Sequence, residues 1–140
     1  MRKFIISIDA GTTSNRSILF DLKGNPVFSS QKEFTQYFPK SGWVEHDPDE
    51  IWRTTVKTLK DVIQKAKKLR GKILNIGITN QRETTVLWDK RTGKPVYNAI
   101  VWQDRRQEEF CVKLRKQNKD TMIFNKTGLL ICLLYTSPSP

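Results

Sequence analysis

Apolar residues run almost unbroken through residues 4–8, where Phe4, Ile6 and Ile8 alternate with Ile5 and Ser7 before the chain reaches Asp9. That pattern predicts a strand buried on both faces that delivers Asp9 at its C-terminal end. Gly11-Thr12-Thr13-Ser14 follows, then Arg16 and a second apolar strand closing on Asp21. Residues 21–26 read as a turn into a third strand over 27–34, and residues 36–46, rich in Pro, Gly and aromatics, as a loop. Helical spacing then takes over. Asp47 is a capping residue, Pro48 suits the first helical position, and Asp49 and Glu50 suit the positive end of the helix dipole. Trp52, Val56, Leu59, Ile63 and Ala66 recur at spacings of three and four, lysines fill the other face and the last turn, and Gly71 is expected to stop the helix. Residues 73–79 predict another buried strand, Asn80-Gln81-Arg82-Glu83 interrupts it, and residues 84–89 predict its resumption before a turn at 90–94. A short segment at 98–102 leads to a helix from near Asp104, with Phe110, Cys111 and Leu114 on its apolar face. Three meandering strands, a helix and a further strand imply an α/β fold, a mixed sheet with helices packed on it.

Two polar interruptions carry candidate chemistry. Gly11 lets the backbone approach a ligand, the amides and hydroxyls of Thr12, Thr13 and Ser14 suit anionic oxygens, and Asp9 can hold a hydrated divalent cation beside them. An ordinary tight hairpin capped by threonine uses the same residues. Arg82 beside Glu83 sets a fork of donors next to an acceptor, which grips adjacent hydroxyls of a small polyol, and Trp102 offers a flat wall for its carbon side. Taken singly, Arg82 and Glu83 are equally a surface ion pair and Trp102 a core residue. His46, the only histidine, reads as a structural loop residue and not a base.

Charge changes the picture least. Lys+Arg 25 against Asp+Glu 14 gives +11, which raises nucleic-acid binding, but the densest basic run closes a capped helix and carries no interleaved aromatics. A solvated helix face is the expectation, with no nucleic-acid partner. No stretch approaches the ~20 apolar residues of a membrane span, so no membrane insertion is expected. With Cys132 set aside only Cys111 remains, which excludes a disulfide framework and points to a reducing, cytoplasmic setting.

Four stretches carry a resemblance: Asp9-Ala10-Gly11-Thr12-Thr13-Ser14, Gly42-Trp43-Val44-Glu45-His46-Asp47-Pro48, Gly77-Ile78-Thr79-Asn80-Gln81-Arg82-Glu83-Thr84-Thr85 and Gly93-Lys94-Pro95-Val96-Tyr97-Asn98-Ala99-Ile100-Val101-Trp102-Gln103. On these the chain resembles the N-terminal part of the glycerol kinases, carbohydrate kinases with a ribonuclease-H-like, actin-like ATPase fold; Ala10 stands where most of them carry glutamine. The resemblance implies an incomplete N-terminal domain over residues 1–131, with ATP and Mg²⁺ as cofactors, glycerol as substrate and a homo-oligomeric parent. It implies nucleotide-side contacts at Asp9, Gly11, Thr12, Thr13, Ser14 and Arg16, with Asp9 toward the metal, and glycerol contacts at Arg82, Glu83 and Trp102. The family's catalytic aspartate has no counterpart here, so the chain as written is expected to lack kinase activity. Residues 132–140 resemble the translation of a sequencing-library adapter and are expected to be a non-native tail; on that reading neither Cys132 nor Tyr135 is native chemistry. Two other readings stand: a kinase of another small polyol or sugar, and a basic nucleic-acid-binding module or ribonuclease-H-like nuclease. The nuclease needs acidic partners for Asp9 that Asp21 and Asp89 are badly placed to supply.

Overall fold

The computed structural model describes residues 1–131; the expected tail at 132–140 lies outside the described residues. The elements are β1 Arg2–Ala10, β2 Ser14–Asp21, β3 Pro26–Glu33, β4 Glu45–His46, α1 Pro48–Lys68, β5 Gly71–Thr79, β6 Ala99–Ile100, α2 Glu108–Lys116 and α3 Asp120–Thr127. β1, β2 and β3 form an antiparallel meander, and β5 returns parallel beside β1, giving the order β3-β2-β1-β5. α1 supplies the long crossover that a parallel pair requires. β4 and β6 form a second small sheet, with Glu45 opposite Ile100 and His46 opposite Ala99.

The core lies between the sheet and α1. Phe4, Ile6, Ile8 and Leu19 meet Val62 and Ala66, with Phe28, Leu59, Ile63, Leu69 and Ile73 packed around them. Ile5 and Ser7, on the opposite face of β1, are only half-buried, so the expected two-sided burial holds for one side.

α1 begins as its sequence dictates: the Asp47 carboxylate accepts the Asp49 amide at 2.9 Å, and Pro48 opens the helix. Its buried stripe differs from the apolar one. Thr54, Thr58, Val62 and Ala66 face the sheet, whereas Trp52 is 68% exposed. Asn15 Nδ2 donates to Thr54 Oγ1 at 2.6 Å and to the Ile51 carbonyl at 3.0 Å, and Ser17 and Thr58 share a hydroxyl hydrogen bond of 2.9 Å. Two of the four buried helix positions are threonines hydrogen-bonded to Asn15 and Ser17, so counting apolar spacing sets the wrong phase. At the other end Arg70, not Gly71, takes the left-handed conformation, at φ 51°. Gly71 instead opens β5 against the buried Phe4 ring, where an added Cβ would lie 2.1 Å from Phe4 Cε2. Its role is close packing rather than helix termination.

Three further expectations are corrected. β5 is apolar yet open, with Leu74, Ile76 and Ile78 exposed by 42%, 47% and 73%, because it is the sheet edge and α1 packs chiefly over β2 and β3. Residues 84–89 form no strand. They are extended but paired only at the Thr85–Ile100 and Trp88–Pro95 bridges, around a turn in which the Asp89 carboxylate accepts the Arg91 and Thr92 amides, each at 2.8 Å. The helix expected near Asp104 starts at Glu108, with Phe110 62% exposed, and α3 follows it unforeseen, short and weakly amphipathic.

Candidate functional site

β1 passes into β2 through a tight turn in which the Gly11 amide donates to the Ser14 carbonyl at 3.0 Å, leaving Thr12 and Thr13 at the tip. A Cβ on Gly11 would meet that same carbonyl at 3.0 Å. Side chains from three distant segments hold the turn: Gln81 Nε2 donates to the Gly11 carbonyl at 2.9 Å, Gln36 Nε2 to the Thr12 carbonyl at 3.1 Å, and Trp102 Nε1 to Thr12 Oγ1 at 3.0 Å. An indole N–H only donates, so the Thr12 hydroxyl accepts from Trp102 and keeps its own proton for an anionic oxygen.

Asp9 is exposed at the end of β1, opposite Arg16 across one ladder and beside Thr79 across the other. This is the C-terminal edge of a parallel pair, where ligands bind open α/β sheets. Gln31 on β3 orients two of the expected contacts: Arg16 Nε donates to Gln31 Oε1 at 3.1 Å, and Gln31 Nε2 donates to Ser14 Oγ at 2.8 Å.

Arg82 and Glu83 form an exposed turn just beyond β5, and Glu83 is left-handed at φ 58°. A non-glycine residue held there costs on the order of 1–3 kcal/mol, a strain that concentrates at ligand-binding positions. No ion pair joins Arg82 to Glu83 among the described residues, which removes the surface-pair reading. Trp102, 39% exposed, is not a core residue. The loop after β5 and Trp102 therefore converge on the Gly11–Thr12 turn, through bonds spanning 70 and 90 residues of sequence.

Beneath this surface lies a buried charge network that the sequence reading missed. Arg106 Nη2 donates to Glu45 Oε1 and Asp104 Oδ2, each at 2.7 Å, and the guanidinium stacks 3.8 Å over the Trp43 ring. Tyr97 and Asn98 also donate to Glu45, each at 3.0 Å, and the Val44 amide donates to Asp104 at 2.7 Å. Burial alone would raise the Glu45 and Asp104 carboxyls; donation from Arg106, with Asn98 and Tyr97 at Glu45, outweighs it and holds both below their ordinary values. This network fastens the 42–48 stretch to the 93–103 stretch, so much of what reads as family signature is framework for Trp102. Locally Arg106 showed only Asp104, two residues before it; the partner that makes it a link between the two stretches, Glu45, lies 61 residues away. His46 is fully buried, edge-on to Phe34, with Nε2 hydrogen-bonded to Gln36 Oε1. Burial pushes its pKa down, opposed only in part by Gln81 and the Glu50 charge. His46 is thus a buried residue of β4 and not the loop residue expected, with its ring packed on Phe34 and bonded to Gln36.

A mixed sheet in the order β3-β2-β1-β5 with α1 packed on it is the fold of the N-terminal part of carbohydrate kinases of the actin-like ATPase class. The chain belongs to the FGGY family of carbohydrate kinases, matching its N-terminal domain over residues 4–139. It is 60% identical over 130 residues to the glycerol kinase of Malacoplasma penetrans and 56% identical over 131 residues to that of Petrotoga mobilis, covering 93% and 94% of this chain. Among solved structures it resembles Plasmodium falciparum glycerol kinase with ADP (38% identity, TM-score 0.86) and gluconate kinase from Lactobacillus acidophilus (27% identity, TM-score 0.84), each over 94% of this chain. In all four comparisons the chain spans 26% of the other protein's length. Among the described residues no helix is long and apolar enough to cross a membrane.

Proposed function

We propose that the chain forms the N-terminal part of a glycerol kinase, which transfers the γ-phosphoryl group of ATP to a terminal hydroxyl of glycerol, giving glycerol 3-phosphate and ADP. The observation that carries this reading is the Trp102–Thr12 hydrogen bond, which ties the wall of a polyol site to the tip of a phosphate turn. The similarity to glycerol kinases at 55–60% identity supports the choice of acceptor.

The residues fit the implied cofactor. No cluster of three or more metal-ligating side chains is found among the described residues, and Asp9 is a lone exposed carboxylate. One carboxylate suits Mg²⁺ carried mainly by phosphate oxygens and water. Bound MgATP would supply the transferable phosphoryl group and neutralise part of its charge. Thr12 and Thr13 donate to phosphate oxygens, Ser14 and Gly11 shape the turn, and Arg16 opposes negative charge on the same sheet face as Asp9. Arg82 donates to the acceptor's hydroxyls, Glu83 accepts from them, and Trp102 packs on the carbon chain. Catalysis by these residues is positioning and charge complementarity.

The test is a chimera in which residues 1–131 replace the matching segment of the Malacoplasma penetrans glycerol kinase. ATP-dependent phosphorylation of glycerol, preferred over pentitols and ketoses, is expected. A folded chimera that prefers a sugar or pentitol rejects the acceptor, and one that binds no ATP rejects the phosphate turn.

A further inference from the structure

The proposed phosphate turn is held by Gln36, a residue that contacts neither proposed substrate and whose own orientation is fixed from below. Gln36 Nε2 donates both to the Thr12 carbonyl at 3.1 Å and to the Phe34 carbonyl at 3.4 Å, which assigns the amide nitrogen to the turn and turns its oxygen to His46. An amide oxygen only accepts, so His46 Nε2 must carry the proton. The ring's other nitrogen, Nδ1, is buried with no hydrogen-bond partner among the described residues. A second proton would put a charge on a fully buried ring packed edge-on against Phe34, where burial outweighs the support that Gln81 and the Glu50 carboxylate give, so the ring is held neutral in the Nε2–H tautomer. Phe34 completes the clasp, its own amide donating to the Thr13 carbonyl at 3.3 Å.

We propose that Gln36, locked by neutral His46, is a positioning residue for phosphoryl transfer. It holds the Thr12–Thr13 backbone so that the Thr12 hydroxyl, already accepting from Trp102, aims its proton at the transferred phosphoryl group. This rests on the phosphate-turn reading above and deepens it. The carbonyl bond from Gln36 and the hydroxyl bond from Trp102 fix Thr12 from two directions, leaving its side chain one orientation. Trp102 meets the turn only through the Thr12 hydroxyl, and the proposed grip on the acceptor's hydroxyls comes from Arg82 and Glu83 on another loop, so loss of Gln36 should fall chiefly on the phosphoryl side.

Two measurements test this. In the chimera, Gln36→Leu keeps the side-chain volume but loses all three polar contacts, and kcat should fall about tenfold, the equivalent of one buried hydrogen bond. The KM for glycerol should stay within about twofold, while the unfolding midpoint should fall modestly because the buried His46 Nε2–H loses its acceptor. His46→Gln, whose amide nitrogen stands near the Nε2 position, should keep kcat close to the parent value, while His46→Leu should behave like Gln36→Leu. Unchanged kcat in Gln36→Leu, or a proportionate rise in glycerol KM, overturns the proposal. Independently of activity, imidazole ¹⁵N spectra of the 140-residue chain should show His46 as the neutral Nε2–H tautomer at pH 7. The Nδ1–H tautomer or an imidazolium there overturns it. An inactive parent chimera would count against the kinase reading, and the spectra would still decide whether His46 locks Gln36.

Discussion

Arg82 stands clear of every ion pair in the described structure, with its guanidinium exposed at the end of β5 and its neighbour Gln81 anchored on Gly11. A charged donor left free beside an anchored backbone is available to a ligand, and one charge-assisted hydrogen bond contributes roughly 1.5–3 kcal/mol. In the chimera, Arg82→Ala should therefore raise the glycerol KM roughly ten- to a hundredfold while leaving the KM for ATP near the parent value; steady-state kinetics at saturating ATP reads this, and an unchanged glycerol KM rejects the role. Arg106 works differently, because its partners Glu45 and Asp104 are buried. Arg106→Met would strand two carboxylates out of water, and breaking such an arrangement costs roughly 3–5 kcal/mol, visible as a large drop in unfolding midpoint. The pH dependence has a definite sign. Both carboxyls lie below their ordinary values of 4.5 and 3.8 in the folded state, so the unfolded chain binds more protons. Their stabilisation is present above pH 4.5 and is lost as pH falls through the folded values; the parent should lose stability on acidification, and Arg106→Met should flatten that slope. The sequence exposed Asp9, Arg82, Glu83 and Trp102 as candidates because each interrupts or ends an apolar run. It hid Arg106 and Gln36, whose roles come from partners 61 and 24 residues away.

At the level of elements, signals that act within one turn of chain were legible and signals that depend on neighbours were not. The start of α1 is set by Asp47, Pro48 and the acidic first turn, all local. Asp47→Ala should cost about 1 kcal/mol, the usual value of a lost N-cap, and chemical denaturation should register it as a shifted midpoint with an unchanged slope. The phase of the same helix was misread because Thr54 and Thr58 bury hydroxyls against Asn15 and Ser17, partners 39 and 41 residues away. Gly71 was misread for a related reason: its small size answers to the Phe4 ring across the sheet, and the left-handed step falls one residue earlier, on Arg70. Residues 84–89 illustrate the third case, where apolar content suggested a strand but the pairing is confined to the single bridges at Thr85 and Trp88.

For the whole molecule, the open edge at β5 has the largest consequence. Ile76 and Ile78 pair in register with Ile6 and Ile8, so all four side chains point to the face that carries the core. On β1 they are buried by 0% and 4% residual exposure, yet one strand further out Ile76 and Ile78 stand 47% and 73% exposed. The core therefore runs off the edge of the sheet onto an uncovered apolar strip beside unpaired strand backbone, a combination that invites association. The 140-residue chain should self-associate at micromolar concentration, and Ile76→Lys with Ile78→Lys should return it to a monomer in sedimentation velocity, since lysines at an edge oppose pairing. The chimera should respond in the opposite way. The chain spans 26% of its glycerol kinase relatives, and if the remainder of such an enzyme covers this strip, the two lysines would be buried charges there and should abolish folding and activity. A double variant that leaves chimera activity intact would mean that the strip faces water in the whole enzyme, and that self-association of the shorter chain has another origin.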